Sequence, residues 1–195
     1  MLIIRSYNPS KYIIQSEKQE IAQQNELNAL LGEAYSQMQE NNLNGAEKTL
    51  HLLLRNTPYN SNALLLLGNI FFMQEKYAEA EETYTKLIKH SPPKAINYNN
   101  LGQTLAMQEK YFDAVMNFKK AIELDPNSYY AHLNLAEVYI KINRKKLAIA
   151  ELKKAFELQK KHGSISINMD AFEALKNEKD FRDLLNKNFN SGDKK

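Results

Sequence analysis

The chain contains no cysteine among its 195 residues. Disulfides and thiolate metal sites are therefore excluded, and a reducing, cytoplasmic setting is expected. Glycine is scarce, at 6 residues, and builds no phosphate-cradling loop. The histidines His51, His90, His132 and His162 are widely spaced, and none forms a His-Glu-x-x-His zinc motif. Adjacent acids such as Glu81 and Glu82 point along an exposed helix, not into a pocket. No catalytic residue, no metal site and no cofactor is expected, so the chain is read as a non-enzyme. Long apolar runs are missing too. Leu2-Ile3-Ile4 is cut short by Arg5, too early for a secretory core, and Ala63 to Leu67 falls far below the roughly 20 residues of a membrane span. No membrane span is expected. The net charge of +3 is too small to argue for nucleic acid, and none is expected as a partner. Apolar content of 43% and charged content of 25% are ordinary for a folded protein.

What the chain does have is a repeat. Leu101, Gly102, Tyr111, Ala114, Phe118, Ala121 and Pro126 have counterparts 34 residues earlier in Leu67, Gly68, Tyr77, Ala80, Tyr84, Leu87 and Pro92. The same step forward gives Leu135, Ala136, Lys145, Ala148, Leu152, Ala155 and Lys160. A period in this range signals a solenoid of stacked units. Gly or Ala at the eighth position lets a partner helix pack closely, and Ala at the twentieth does so from the other side. Tyr84, Phe118 or Leu152 fills the gap between hairpins. Pro126 ends a helix because it lacks an N–H and clashes with the preceding turn.

This pattern resembles the tetratricopeptide repeat family. Leu101-Gly102, Ala114, Phe118 and Pro126 match its W-x2-L-G-x2-Y, A-x3-F and P signature. The Trp position holds Leu64, Tyr98 and His132, and the Tyr position holds Phe71, Leu105 and Tyr139; all but His132 are apolar. The resemblance implies an all-α fold, a right-handed superhelical stack of helix-turn-helix hairpins (an α-α superhelix).

Taken in order, residues 1–24 read as an apolar arm and helical extension, with Ser10 as an N-cap. That extension is one long helix, or two joined near Gln24. Repeat one covers 25–60, with Leu31, Gly32 and Tyr35 marking its first helix and Ala46, Leu50 and Pro58 its second. Its internal turn, Glu40 to Gly45, is read as two residues longer than the others. Repeats two, three and four cover 61–94, 95–128 and 129–162. Repeat four lacks the terminal proline, so its second helix is expected to run to about Lys161. Gly163-Ser164 ends it. Residues 163–189 carry Ile167, Phe172, Leu175, Phe181, Leu184 and Leu185, read as capping helices, since end repeats need a cover. Residues 190–195 are expected to be a disordered tail.

In the family the first helix of each hairpin lines the concave face. That implies inward positions at Glu26, Ala29, Glu33 and Ser36; Asn62, Leu65, Asn69 and Met73; Ile96, Asn99, Asn100, Gln103 and Met107; and Tyr130, Asn134, Glu137 and Lys141. Asn100 and Asn134 hold one position in successive repeats and resemble the asparagine ladder of some peptide-binding members. An Asn amide holds peptide backbone without reading side chains; the same residues would also serve to solvate a helix face. Tyr130 is the candidate aromatic anchor. The expected partner-binding set is Asn69, Asn99, Asn100, Gln103, Tyr130, Asn134 and Glu137. The carboxylate clamp of chaperone-binding members is not expected, because its cation positions hold Leu65, Tyr130 and Asn134. Repeat two is acidic (Glu75, Glu79, Glu81, Glu82) and repeat four is basic (Lys141, Arg144, Lys145, Lys146, Lys153, Lys154, Lys160, Lys161), so the array is electrically polar along its length. The expected function is an adaptor, chaperone or assembly factor that binds a peptide or helix of another protein. The alternative is a self-associating scaffold using the arm from Met1 to Ile14.

Overall fold

The computed structural model describes residues 9–162 and 169–189. Eight helices pair in chain order: α1 Pro9–Gln39 with α2 Leu43–Asn56, α3 Ser61–Met73 with α4 Tyr77–His90, α5 Ala95–Met107 with α6 Tyr111–Leu124, and α7 Tyr129–Lys141 with α8 Lys145–His162. A 3-10 helix at Met169–Leu175 and α9 at Lys179–Phe189 complete the set, and no strand occurs among the described residues. The apolar arm up to residue 8, Gly163-Ser164, Ile167 and the tail 190–195 lie outside the described residues.

The described part of the extension and the first helix of repeat one form a single helix of 31 residues, unbroken at Gln24. It starts at Pro9, ahead of Ser10, so Ser10 is a helical residue and not the cap. Proline suits a first turn, where its missing N–H has no partner to lose. Residues 15–26 are exposed throughout, and burial begins at Leu27.

All four hairpins turn in the same way. Residues 40–42, 74–76, 108–110 and 142–144 each separate the two helices. The middle residue is left-handed in every case: Asn41 (φ 58°), Glu75 (60°), Glu109 (60°) and Asn143 (57°). The next N–H reaches five residues back, Asn42 to Gln37, Lys76 to Phe71, Lys110 to Leu105 and Arg144 to Tyr139, at 2.7–2.9 Å. These are Schellman closures of the first helix.

The turn of repeat one is thus no longer than the rest, which corrects the expectation of two extra residues. Asn44 and Gly45 look like turn residues but lie in the first turn of α2, where the Asn42 side chain accepts from the Gly45 N–H at 3.1 Å. The second helices start at 43, 77, 111 and 145, an unbroken step of 34. Gly68 then has Ala34, not Gly32, as its counterpart. Ala34 is fully buried, whereas Gly32 is exposed with nothing within 4 Å of a built Cβ. Leu31-Gly32 matches the family dipeptide by coincidence, two residues out of step.

Within hairpins the eighth position is tight. A Cβ on Gly68 would lie 2.5 Å from the Tyr84 ring, and one on Gly102 would lie 2.7 Å from Phe118. Both rings are almost wholly buried, and burying such a side chain stabilises by about 1.5–3 kcal/mol. Neighbouring hairpins are joined by polar links. Lys76 Nζ meets Glu47 Oε2 at 3.2 Å and Lys110 Nζ meets Glu81 Oε2 at 2.7 Å. Gln74 donates to Asn44 at 3.2 Å, and Gln108 donates to Glu81 at 2.8 Å. His132, at the family's Trp position, is buried; its Nδ1 lies 2.7 Å from Glu151 and its Nε2 3.2 Å from the Pro126 carbonyl, tying the turn to α8. At the C-terminal end α8 has 18 residues against 14 in its counterparts. The 3-10 helix packs on α7 and α9 on α8, burying Phe172, Leu175, Phe181 and Leu184.

Candidate functional site

The curvature follows from which helices touch. α1, α3, α5 and α7 meet their counterparts directly in the stack, whereas α2, α4 and α6 reach the next hairpin through its first helix. First helices are therefore crowded together on the inner side, and second helices splay on the outer side. Residues that step by 34 along first helices make rows across the inner face. One row is Asn28, Asn62, Ile96 and Tyr130; a second is Leu31, Leu65, Asn99 and Leu133; a third is Tyr35, Asn69, Gln103 and Glu137; a fourth is Gln39, Met73, Met107 and Lys141.

The structure ties the asparagines to each other across hairpins. Asn100 Nδ2 donates to Asn69 Oδ1 at 3.2 Å, and the same oxygen accepts from the Tyr84 hydroxyl at 2.6 Å. Burial raises the Tyr84 phenol above its ordinary value, with the Asn100 contact opposing. Asn134 Nδ2 donates to Asn99 Oδ1 at 2.9 Å. Asn99 is buried, while Asn69, Asn100, Gln103 and Asn134 are half-buried. Each donating amide retains a second N–H and its own carbonyl.

Tyr130 is 60% exposed, and its ring stands edge-on to Tyr129 at 5.3 Å and 79°. Tyr129 is buried, and its hydroxyl has no hydrogen-bond partner among the described residues. Burial raises its phenol, and the neighbouring Tyr130 and Glu137 add to the shift. Glu137 is half-buried, and burial raises its carboxyl, with Lys141 opposing one turn along. Tyr130 is thus a pre-set aromatic edge beside a carboxyl that is poorly solvated.

The inner face is more apolar than the asparagines suggest. Tyr35, Met73, Ile96, Met107 and Tyr130 are each between 51% and 60% exposed. Counting from Leu31-Gly32 puts Tyr35 at the family's Tyr position, a packing place, which the structure corrects: Tyr35 is exposed on the inner face. The step of 34 back from Asn69 finds it, as do Ala46, Leu50 and Pro58, which keep step with repeat two. Glu26, Ala29, Glu33 and Ser36 correspondingly lose their inner positions to Asn28, Leu31, Tyr35 and Gln39. Among the described residues, no group of His, Cys, Asp or Glu could hold a metal ion, and no helix is long and apolar enough to cross a membrane.

Comparison with known proteins agrees with this architecture. Two family models, each described as tetratricopeptide repeat, match residues 31–95 and 105–166, together more than half of the chain. Curated protein sequences give no match. A crystal structure of MamA protein superposes with a TM-score of 0.69 at 21% identity, covering 83% of this chain and 91% of that one. MamA from Desulfovibrio magneticus RS-1 gives 0.67 at 20% identity, over 71% and 78%. YrrB, described as a TPR protein with an unusual peptide-binding site, gives 0.65 at 19% identity, over 83% and 84%. At these identities the likeness concerns the fold. The 34-residue step, the close-packed eighth position and both family matches converge: the chain belongs to the tetratricopeptide repeat family.

Proposed function

We propose that this chain is a non-enzymatic adaptor that holds a segment of another protein along the inner face. The observation that carries the reading is the set of five exposed large side chains, Tyr35, Met73, Ile96, Met107 and Tyr130, on first helices. Solvent-facing apolar groups gathered on one face mark an interaction site. They grip apolar side chains of the partner, while Asn69, Asn100, Gln103 and Asn134 offer amide groups to its backbone. Asn99 acts through Asn134, which it holds. Glu137, poorly solvated, favours an N–H donor or a cation beside Tyr130. YrrB is described as having a peptide-binding site, which accords with this use of the fold.

A peptide-display selection tests it. Peptides enriched on the wild type should carry large apolar residues and should lose about 30-fold in affinity to Met107→Ala plus Tyr130→Ala, since hot-spot truncation costs about 2 kcal/mol or more. Enriched peptides that bind the double variant equally well would place binding elsewhere.

A second reading is supported by α1. Residues 15–26 form turns of exposed helix ahead of the first hairpin, with Ile21 at 61% exposure. This segment and the arm before it would dock on another copy in a self-associating scaffold. Truncation of residues 1–24 should then reduce the number of copies per particle in solution; an unchanged number rejects the reading.

A further inference from the structure

The first helices sort their side chains by depth. On α3, α5 and α7 the exposed residues are the second and the last of each helix: Asn62 and Met73, Ile96 and Met107, Tyr130 and Lys141. Between them lie half-buried residues, among them Asn69, Asn100, Gln103 and Asn134. The inner face is therefore a floor with two edges. Ile96 and Met107 are 11 residues apart on α5, so at 1.5 Å per residue the edges stand about 16 Å apart. One edge is apolar at Ile96 and Tyr130, the other at Met73 and Met107. The floor between them carries amides. Neither α3 nor α5 contains a charged residue. Charges flank these helices at Glu75, Lys94 and Glu109, and return to the floor on α7 with Glu137.

An amide floor between two apolar edges discriminates between backbone conformations. An α-helix presents one apolar stripe and bonds its own N–H and C=O groups internally. Its stripe would lie on the amides, and the floor would find no backbone group to bond. An extended segment running from hairpin to hairpin sends successive side chains to opposite sides. One set meets Ile96 and Tyr130, and the other meets Met73 and Met107. Every second residue then turns its N–H and C=O toward the floor. A side-chain amide, with a donor and an acceptor, answers both. Asn100 and Asn134 each give one N–H to the neighbouring hairpin and keep the other, together with their own carbonyl. A charged side chain lying over α3 or α5 would lose hydration with no counter-charge on either helix.

We infer that the inner face takes an extended segment of the partner, uncharged where it crosses α3 and α5, with its side chains alternating between the two apolar edges. The inference rests on the adaptor reading of this face and adds the segment's conformation and composition.

Random peptides displayed on phage and selected on the full chain supply the probes. Those weakened by Met107→Ala with Tyr130→Ala are bound in the groove. Their central residues should be uncharged, and an isotope-labelled copy should show the Cα and Cβ chemical shifts of a strand when bound. An ester scan, replacing one peptide amide at a time, should find positions that cost about two- to tenfold in affinity, the range for one hydrogen bond. Asn100→Ala with Asn134→Ala should weaken the all-amide peptide, and the same esters should then cost less, because both partners of one bond have been removed. The ester scan leaves the protein untouched, so it holds even where an asparagine variant folds poorly. Groove-bound peptides with helical shifts, with charges at their centre, or with no sensitive ester position would overturn the inference and leave the adaptor reading standing. Peptides indifferent to Met107 and Tyr130, or no enriched peptide at all, would overturn both.

Discussion

Two glycines of the same chain illustrate how one residue type has opposite meanings. Gly102 faces the Phe118 ring at a distance no Cβ can share, whereas Gly32 faces open space on α1. Gly102→Ala should therefore overpack the hairpin and cost about 1–3 kcal/mol. Gly32→Ala should gain about 0.5–1 kcal/mol, by removing a glycine from an exposed helix interior. Urea unfolding of both variants checks the pair; if Gly32 were the close-packed residue its dipeptide suggests, both would lose. Glu137 gives a prediction in pH. Burial raises its carboxyl in the folded state above the unfolded value, so its contribution is favourable below the unfolded pKa and is lost as pH rises through the folded one. Glu137→Gln stays neutral throughout. It should melt higher than wild type at neutral pH and coincide with it in acid, a difference that thermal scans at both pH values would show.

At the scale of elements, the turns impose a cost that the sequence does not advertise. Glu75 and Glu109 adopt the left-handed conformation that glycine usually supplies at the end of a helix. Glu109→Gly should stabilise by about 1 kcal/mol, close to the penalty of that conformation for a residue with a Cβ; a fall in the denaturation midpoint would contradict this. Helix pairing was legible in the sequence because small residues recur opposite large ones, as Ala80 and Tyr84 or Ala114 and Phe118 do. Repeat one was legible through its second helix only. There Ala46, Leu50 and Pro58 keep step, while in α1 the pair Leu31-Gly32 imitates the motif two positions early. The site was legible as a set of positions but not as a surface. Asn69, Asn100 and Asn134 were placed on the inner helices, yet their mutual bonds depend on how far neighbouring hairpins rotate, which no spacing encodes. Tyr35 was hidden by the same displacement that misplaced Gly32.

The whole molecule is a chain of neighbours, each hairpin resting on the next, and its last surface is covered by α9 and the 3-10 helix. Removing residues from 169 onward would expose what Phe172, Leu175, Phe181 and Leu184 now bury, each worth about 1.5–3 kcal/mol. Hydrogen exchange should then show α7 and α8 losing protection first, with α3 to α6 following the global transition, as expected where stability is a sum over adjacent units. Uniform loss along the chain would indicate a single cooperative core instead. The ion pairs between hairpins bear on another property of such a stack. Glu47 and Glu81 each bridge to a lysine of the following turn, at Lys76 and Lys110. One repeat further on, Val115 occupies the place of those acids, with Arg144 in the place of the lysines. Under load the array behaves as springs in series, and the third joint lacks the clasp that stiffens the first two. That joint instead carries the Asn134–Asn99 bond on the inner face, so salt, which screens the two ion pairs, should soften the first two joints before the third.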